Sequence, residues 1–398
     1  MKIFVDALSR IPTVSIGTQA LIIGGLHILR RRFPDVTFVM LTSHPAQERH
    51  YLDATGYPIE YVERAPSQWG TLRQFHAIVR GVDAVACAWG DGYVGKPAWR
   101  LLQKTLSLKR TGVPLILVTA SLGPFRAGLD AWFARRALSL FDRLTVRDLN
   151  SQRHIRNLDL EDVRCLPDTA FVLEPAPEAA VDNILRREGV PGGEAPVGVN
   201  PSILLHHRYT AVNGRPYPPV VARLIDHIRR TTRRPVLLIP HQAYPAGFPG
   251  LTPETRLSWD GDDRAAAELV LDAMSDRTGV YALAGDYSPA EYKGLLKRCE
   301  LFVGGRMHAV ISAVSAGTPS VIMQYSHKAS GVMEGLGLQE WVWDIRAPEA
   351  DLAGLVEKAW AGRAALRARL AERSGRDAEE ACRLGDVFAE ALQARSCA

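Results

Sequence analysis

Short apolar runs alternate with amphipathic stretches along most of the chain, which is the rhythm of strand–helix units in a parallel sheet. In the first half, apolar runs at 2–5, 36–41, 59–62, 84–88, 115–119 and 144–146 predict strands, and 18–32, 97–110, 128–140 and 150–157 predict helices among them. Residues 174–196, rich in Pro, Gly and Glu around one short helix, predict an interdomain connection. The alternation then resumes with strands at 197–200, 235–239, 279–283, 301–303 and 319–323. The pattern therefore predicts two doubly wound, Rossmann-like α/β domains, 1–173 and 197–345. A helical segment, 346–398, is expected to break at Ser374 and Gly375 and to pack back on the first domain.

Composition narrows this picture. At 398 residues and 47% hydrophobic content the chain exceeds one comfortable core, in keeping with two domains. The net charge of +5 is spread in short clusters that read as helix-end caps, with no aromatic-interleaved stripe or zinc spacing to indicate nucleic acid. An anionic substrate accounts for the excess more simply. The cysteines at 87, 165, 299, 382 and 397 show no CxxC spacing, and neither a leader pattern nor an 18-residue apolar run occurs. A cytoplasmic location is the expectation. Contact with the inner face of a membrane stays open, because 99–110, WRLLQKTLSLKR, mixes basic and apolar residues as an interfacial helix would.

In an open parallel sheet, ligands gather beyond the carboxyl ends of the strands, so the turns there carry the candidate chemistry. The richest is GGRMH, where Gly304 and Gly305 turn a strand into a helix and place Arg306 and His308 at its start. Backbone N–H groups at a helix start attract anions, so a phosphate or carboxylate is the expected occupant. Lys328 follows the next strand. Arg147, His241 and the trio His206, His207 and Arg208 also stand just past predicted strands, so cationic or proton-carrying groups occupy five strand ends. Glycine turns containing Ser15 and Gly17, and Asp91 within WGDG, add candidate walls of a binding site.

P-loop, HExxH and GxSxG patterns are missing, which removes the readings that depend on them. The triplet from Asp260 to Asp262 could hold a divalent ion, but its place before an amphipathic segment reads as a helix cap.

The string GGRMHAVISAVSAGTPSVIMQYSHK, with IPH before it and SIGTQAL, WGDG, SLGPF, VRDLNS and PDTAFVL in the amino half, resembles the polysaccharide pyruvyl transferases. The resemblance implies a two-domain GT-B-like fold with its active site in the interdomain cleft. It also implies transfer of the pyruvyl group of phosphoenolpyruvate to a sugar diol on a nucleotide, lipid or polymer carrier, with no cofactor beyond the donor. Family roles carry over to Arg147, Arg306, His308 and Lys328, and further to His241 and Arg208. A GT-B glycosyltransferase using a nucleotide sugar is the alternative; a non-catalytic sugar-binding protein is a third reading. Oligomeric state is not legible.

Overall fold

The computed structural model describes residues 1–6, 14–87, 90, 97–325 and 327–396, and in it the chain forms two compact units. The first comprises 1–13, 18–172 and 377–398; the second comprises 14–17 and 173–376. Their boundaries depart from the sequence expectation at three places.

Unit one is built on a seven-stranded sheet. Its strands are β1 (Lys2–Asp6), β2 (Thr37–Thr42), β3 (Ile59–Glu63), β4 (Ala84–Cys87), β5 (Leu115–Ala120), β6 (Arg143–Val146) and β7 (Val163–Cys165). All neighbours pair parallel in the order β3-β2-β1-β4-β5-β6-β7. Successive residues of a strand face opposite ways, so Phe4 enters one core while Ile3 and Val5 enter another. The helices Gln68–Arg80, Ala98–Lys109 and Leu129–Leu138 cover the first face, contributing Val79, Leu101 and Ala134. On the other face the helix Ile16–Arg32 supplies Leu21 and Leu26, and the last helix, Leu384–Ser396, supplies Leu384, Val387 and Phe388. Glu390 of that last helix takes a two-pronged hydrogen bond from Arg164 of β7, at 2.9 and 2.7 Å.

Unit two carries six parallel strands: β8 (Val197–Asn200), β9 (Val236–Leu238), β10 (Val280–Ala282), β11 (Leu301–Gly304), β12 (Ser320–Gln324) and β13 (Val342–Asp344), ordered β10-β9-β8-β11-β12-β13. Both sheets reverse their winding beside a central strand, which makes each unit doubly wound.

The segment 174–196 is a structured part of unit two rather than a connection. Its helix Glu178–Arg187 buries Val181, Ile184 and Leu185, and Ala176 N–H donates to Ala290 O at 2.8 Å. Residues 14–17 also belong to unit two, through a β-bridge between Ser15 and Gln242 and a bond from Ala243 N–H to Val14 O at 3.0 Å. The expected break at Ser374 and Gly375 is not there. A single helix, Arg363–Cys382, runs through both and crosses from unit two into unit one. A glycine costs a helix only about 1 kcal/mol, and the buried Leu366 and Leu370, with Arg369 and Arg373 donating to Gly337 O and Gly335 O, offset that.

Candidate active site

Of the side chains that the sequence singled out, the carboxyl edge of the second sheet brings together Arg306, His308 and His241. Strand β11 ends at Gly304, and the helix Met307–Ser315 starts three residues later with Arg306 in the cap position. The chain fits through this turn because its glycines carry no side chain. A Cβ on Gly304 would lie 2.5 Å from the Phe302 ring, and one on Gly305 would lie 2.5 Å from Leu205 Cδ2. The Arg306 side chain makes no capping hydrogen bond to this helix, and a helix start attracts anions.

Arg306 is held from two sides. Its backbone N–H donates to Asn200 Oδ1 at 3.0 Å, while Asn200 Nδ2 donates to Ile239 O at 2.9 Å, tying the ends of β8, β9 and β11. Its guanidinium donates through Nε and Nη2 to Asp263, the shortest contact being 2.8 Å. Asp263 also accepts from the backbone N–H groups of Ile203 at 3.0 Å and of His241 and Gln242 at 3.1 Å. This fully buried carboxylate therefore binds three strand ends together. Burial opposes the charge of Arg306, but Asp263 outweighs it and raises the guanidinium above its ordinary value. Nη1 makes no hydrogen bond among the described residues, and the side chain is 14% exposed. One edge of the guanidinium is clamped and one nitrogen remains for a ligand.

Two histidines flank it. His308, in the first turn of the helix, is half-buried against residue 17; a Cβ there would lie 2.2 Å from His308 Cβ, so only glycine admits this approach. His241, just past β9, is buried, and its Nε2 has no hydrogen-bond partner among the described residues. Burial first, and then the charges of His308 and Arg306, push its pKa down to about 3, so at neutral pH the ring is uncharged. An uncharged imidazole can turn a donor or an acceptor toward a ligand.

The other predicted residues are distributed as follows. Arg147 lies in unit one, with a side chain fully closed to solvent. It donates from Nη1 to Asp168 Oδ2 at 2.7 Å and from Nε to Ser121 Oγ at 2.9 Å, and the helix behind it is capped by Asp148, which accepts from Ser151 N–H at 2.8 Å. Arg147 is therefore not the solvent-open cation expected of it. Arg208 is exposed on the helix Ile203–Asn213, with its guanidinium 4.8 Å from the centre of the Trp259 ring. Lys328 falls in the first turn of the helix His327–Gly335, after β12; its side chain lies outside the described residues, as does Asp91. Asp262 caps the helix Asp263–Asp272 and pairs with Arg264, which spends the acidic triplet on structure. No group of His, Cys, Asp or Glu among the described residues is arranged to hold a metal ion. No described helix is long and apolar enough to cross a membrane.

Sequence reasoning missed Asp263 and Asn200. Asp263 adjoins the triplet already noticed, and its distance of 43 positions from Arg306 hid the pairing. Asn200, a polar residue ending an apolar strand run, was the available signal for the second contact.

A family model described as polysaccharide pyruvyl transferase matches residues 16–327. The amylovoran biosynthesis protein AmsJ of Erwinia amylovora is 22% identical over 280 residues, which are 69% of this chain and 65% of that protein; the chain thus spans somewhat under two thirds of this curated relative. Among solved structures, Anabaena HepE in complex with UDP superposes with a TM-score of 0.62 at 14% identity, covering 99% of both chains. The UDP-GlcNAc 2-epimerase of Neisseria meningitidis gives 0.59 at 11% identity over 98% of both. E. coli ADP-heptose heptosyltransferase II gives 0.51 at 14%, covering 94% of this chain and 99% of its own. At these identities the likeness shows the fold alone, which is of the GT-B type.

Proposed function

The chain belongs to the polysaccharide pyruvyl transferase family, and from that premise we propose that it moves the pyruvyl group of phosphoenolpyruvate onto a sugar diol, leaving a cyclic ketal and phosphate. The observation that carries this reading is the geometry of Arg306. Its guanidinium is fixed by Asp263 on one edge, keeps Nη1 for a ligand, and stands at a helix start that its own side chain does not cap, two residues before His308.

In this scheme Nη1 of Arg306 and the leading N–H groups of the helix Met307–Ser315 take the donor phosphate. We assign the carboxylate to Lys328, which follows β12 in the sequence. Charge-assisted bonds of about 1.5–3 kcal/mol each would together supply micromolar binding or better. Because Asp263 already neutralises Arg306, the arginine contributes directed donors more than net charge. His241, uncharged, offers its unpartnered Nε2 to the same ligand without adding a competing cation.

The atoms balance without oxidation or reduction. One sugar hydroxyl oxygen bonds to C2 of the donor as the methylene carbon gains a proton. The C2–O bond to phosphate breaks, and the second hydroxyl oxygen closes the ketal. Of the two hydroxyl protons, one ends on the new methyl group and one leaves with phosphate. His308 is the proton carrier, half-buried beside the phosphate seat. The scheme calls for no cofactor beyond the donor.

Incubating the protein with phosphoenolpyruvate and a panel of nucleotide- and lipid-linked sugars tests the reading. Phosphate release matched by acceptor mass gain is expected. Release of a nucleoside diphosphate from a nucleotide sugar, with phosphoenolpyruvate untouched, would replace it with glycosyl transfer.

A further inference from the structure

Three consecutive helices of unit one, Gln68–Arg80, Ala98–Lys109 and Leu129–Leu138, each place a tryptophan within their first four residues, and all three rings face solvent. Trp69 is 77% exposed, Trp132 57% and Trp99 46%, and Leu129, beside Trp132, is 75% exposed. Single exposed apolar residues are ordinary, but a run of large ones marks an interaction surface. These helices share a face, because their buried sides enter the same core cluster. Each starts just beyond the carboxyl end of its strand, β3, β4 or β5, so the three tryptophans fall along one edge of that face.

The charge on these helices is one-sided. They carry seven lysines and arginines against one acid, Asp130, while the whole chain nets only +5. Asp130 is occupied with the backbone N–H groups of Ala98 and Arg126, both at 3.0 Å. Lys104, Lys109 and Arg135 pair with Asp6, Asp142 and Asp159. Arg73, Arg80, Arg100 and Arg136 have no ion pair among the described residues. Between the first two helices a cavity of about 670 Å³ opens, with Leu72, Phe75 and Leu106 beside Arg64, Arg100 and Arg110 in its wall. Exposed tryptophan and leucine on helices that also carry arginines without ion pairs is a composition that settles at a lipid headgroup boundary.

We propose that this face of unit one docks on an anionic lipid bilayer, with Trp69, Trp99, Leu129 and Trp132 entering the headgroup boundary and the arginines meeting lipid phosphates. A saccharide-binding face would use the rings, but it has no use for an exposed Leu129 or for a row of arginines without carboxylates. The proposal does not rest on the pyruvyl transfer reading, since binding is read with no substrate present.

The full chain is sedimented with vesicles of equal phosphatidylglycerol and phosphatidylcholine, and separately with pure phosphatidylcholine, at low and high salt. Binding is expected on the anionic vesicles and should weaken about tenfold or more on neutral ones or in high salt. The triple variant Trp69→Ser, Trp99→Ser, Trp132→Ser, and the double variant Arg100→Glu, Arg136→Glu, should each lower partition about tenfold. Both should keep the melting temperature, because the altered side chains are exposed. No vesicle binding, or anionic binding that neither variant changes, would overturn the proposal. So would tryptophan quenching by a neutral oligosaccharide in a protein that ignores vesicles.

Discussion

Arg147 and Arg306 look alike in the sequence, each an arginine just past an apolar strand and just before a helix, yet the two units use them differently. Both are paired with a buried aspartate, Asp168 in unit one and Asp263 in unit two. The difference lies in the neighbouring cap. In unit one the next residue, Asp148, turns its carboxylate onto the helix start, filling the seat an anion would take, and Arg147 is sealed beneath it. In unit two Arg306 itself is the cap residue, its side chain makes no hydrogen bond to the helix start, and its Nη1 makes none among the described residues. An aspartate cap closes a helix start to anions, and an arginine in its place leaves it open.

The comparison breaks most sharply at His308. His308→Ala should lower turnover about 10²–10⁴-fold while donor affinity, measured by calorimetry, holds; full activity would remove the proton carrier from unit two.

Stability provides the next contrast. Arg147→Ala leaves Asp168 buried without its cation and should cost about 3–5 kcal/mol in denaturant unfolding, while donor affinity below the transition is unchanged. The double variant Arg147→Met, Asp168→Leu should recover only part of that loss, because Asp168 Oδ1 also accepts from the Ala170 N–H at 2.9 Å. Donor binding that fails with Arg147 in a folded protein would make unit one part of the seat after all.

A smaller effect is expected at Gly17. Alanine in a helix ordinarily gains about 1 kcal/mol over glycine, but here its Cβ would meet His308 Cβ at 2.2 Å. Gly17→Ala should therefore reduce turnover by displacing His308, and an active, more stable variant would show that the contact relaxes freely.

The smallest is a pH dependence. His241 titrates at about 3 in the folded chain, well below the 6.5 of an ordinary histidine, so between those values the unfolded state binds the extra proton. Its contribution to stability is complete above the upper value and is lost as pH falls through the window. Melting temperatures taken from about pH 7 to about pH 4.5 should fall less steeply for His241→Gln than for the parent. Parallel curves would place the acid sensitivity elsewhere.

The long apolar strands were legible because five or six residues of β-type sequence between turn signals leave little choice. Strands β7 and β13, VRC and VWD, were not, since neither lies in a longer apolar run of the kind that marks the equally short β9 and β10; neighbouring strands of the sheet impose them. Arg306, His308 and His241 were legible as residue types at strand ends. What tells an open arginine from a sealed one is partner geometry. Asp168 lies 21 positions from Arg147 and Asp263 lies 43 from Arg306, distances over which local pattern carries no information. Only the cap residues, Asp148 against Arg306, held that difference within reach of the sequence.

Under the proposed reading, Arg306 offers a clamped guanidinium to a small dianion in unit two. Calorimetric titration of phosphoenolpyruvate into the parent and into Arg306→Gln, each checked for a cooperative melt, tests it directly. Saturable binding to the parent is expected, with an affinity about ten- to a hundredfold weaker in the variant, the worth of one charge-assisted contact. Equal affinity in the two proteins, or no binding by the parent, would contradict it.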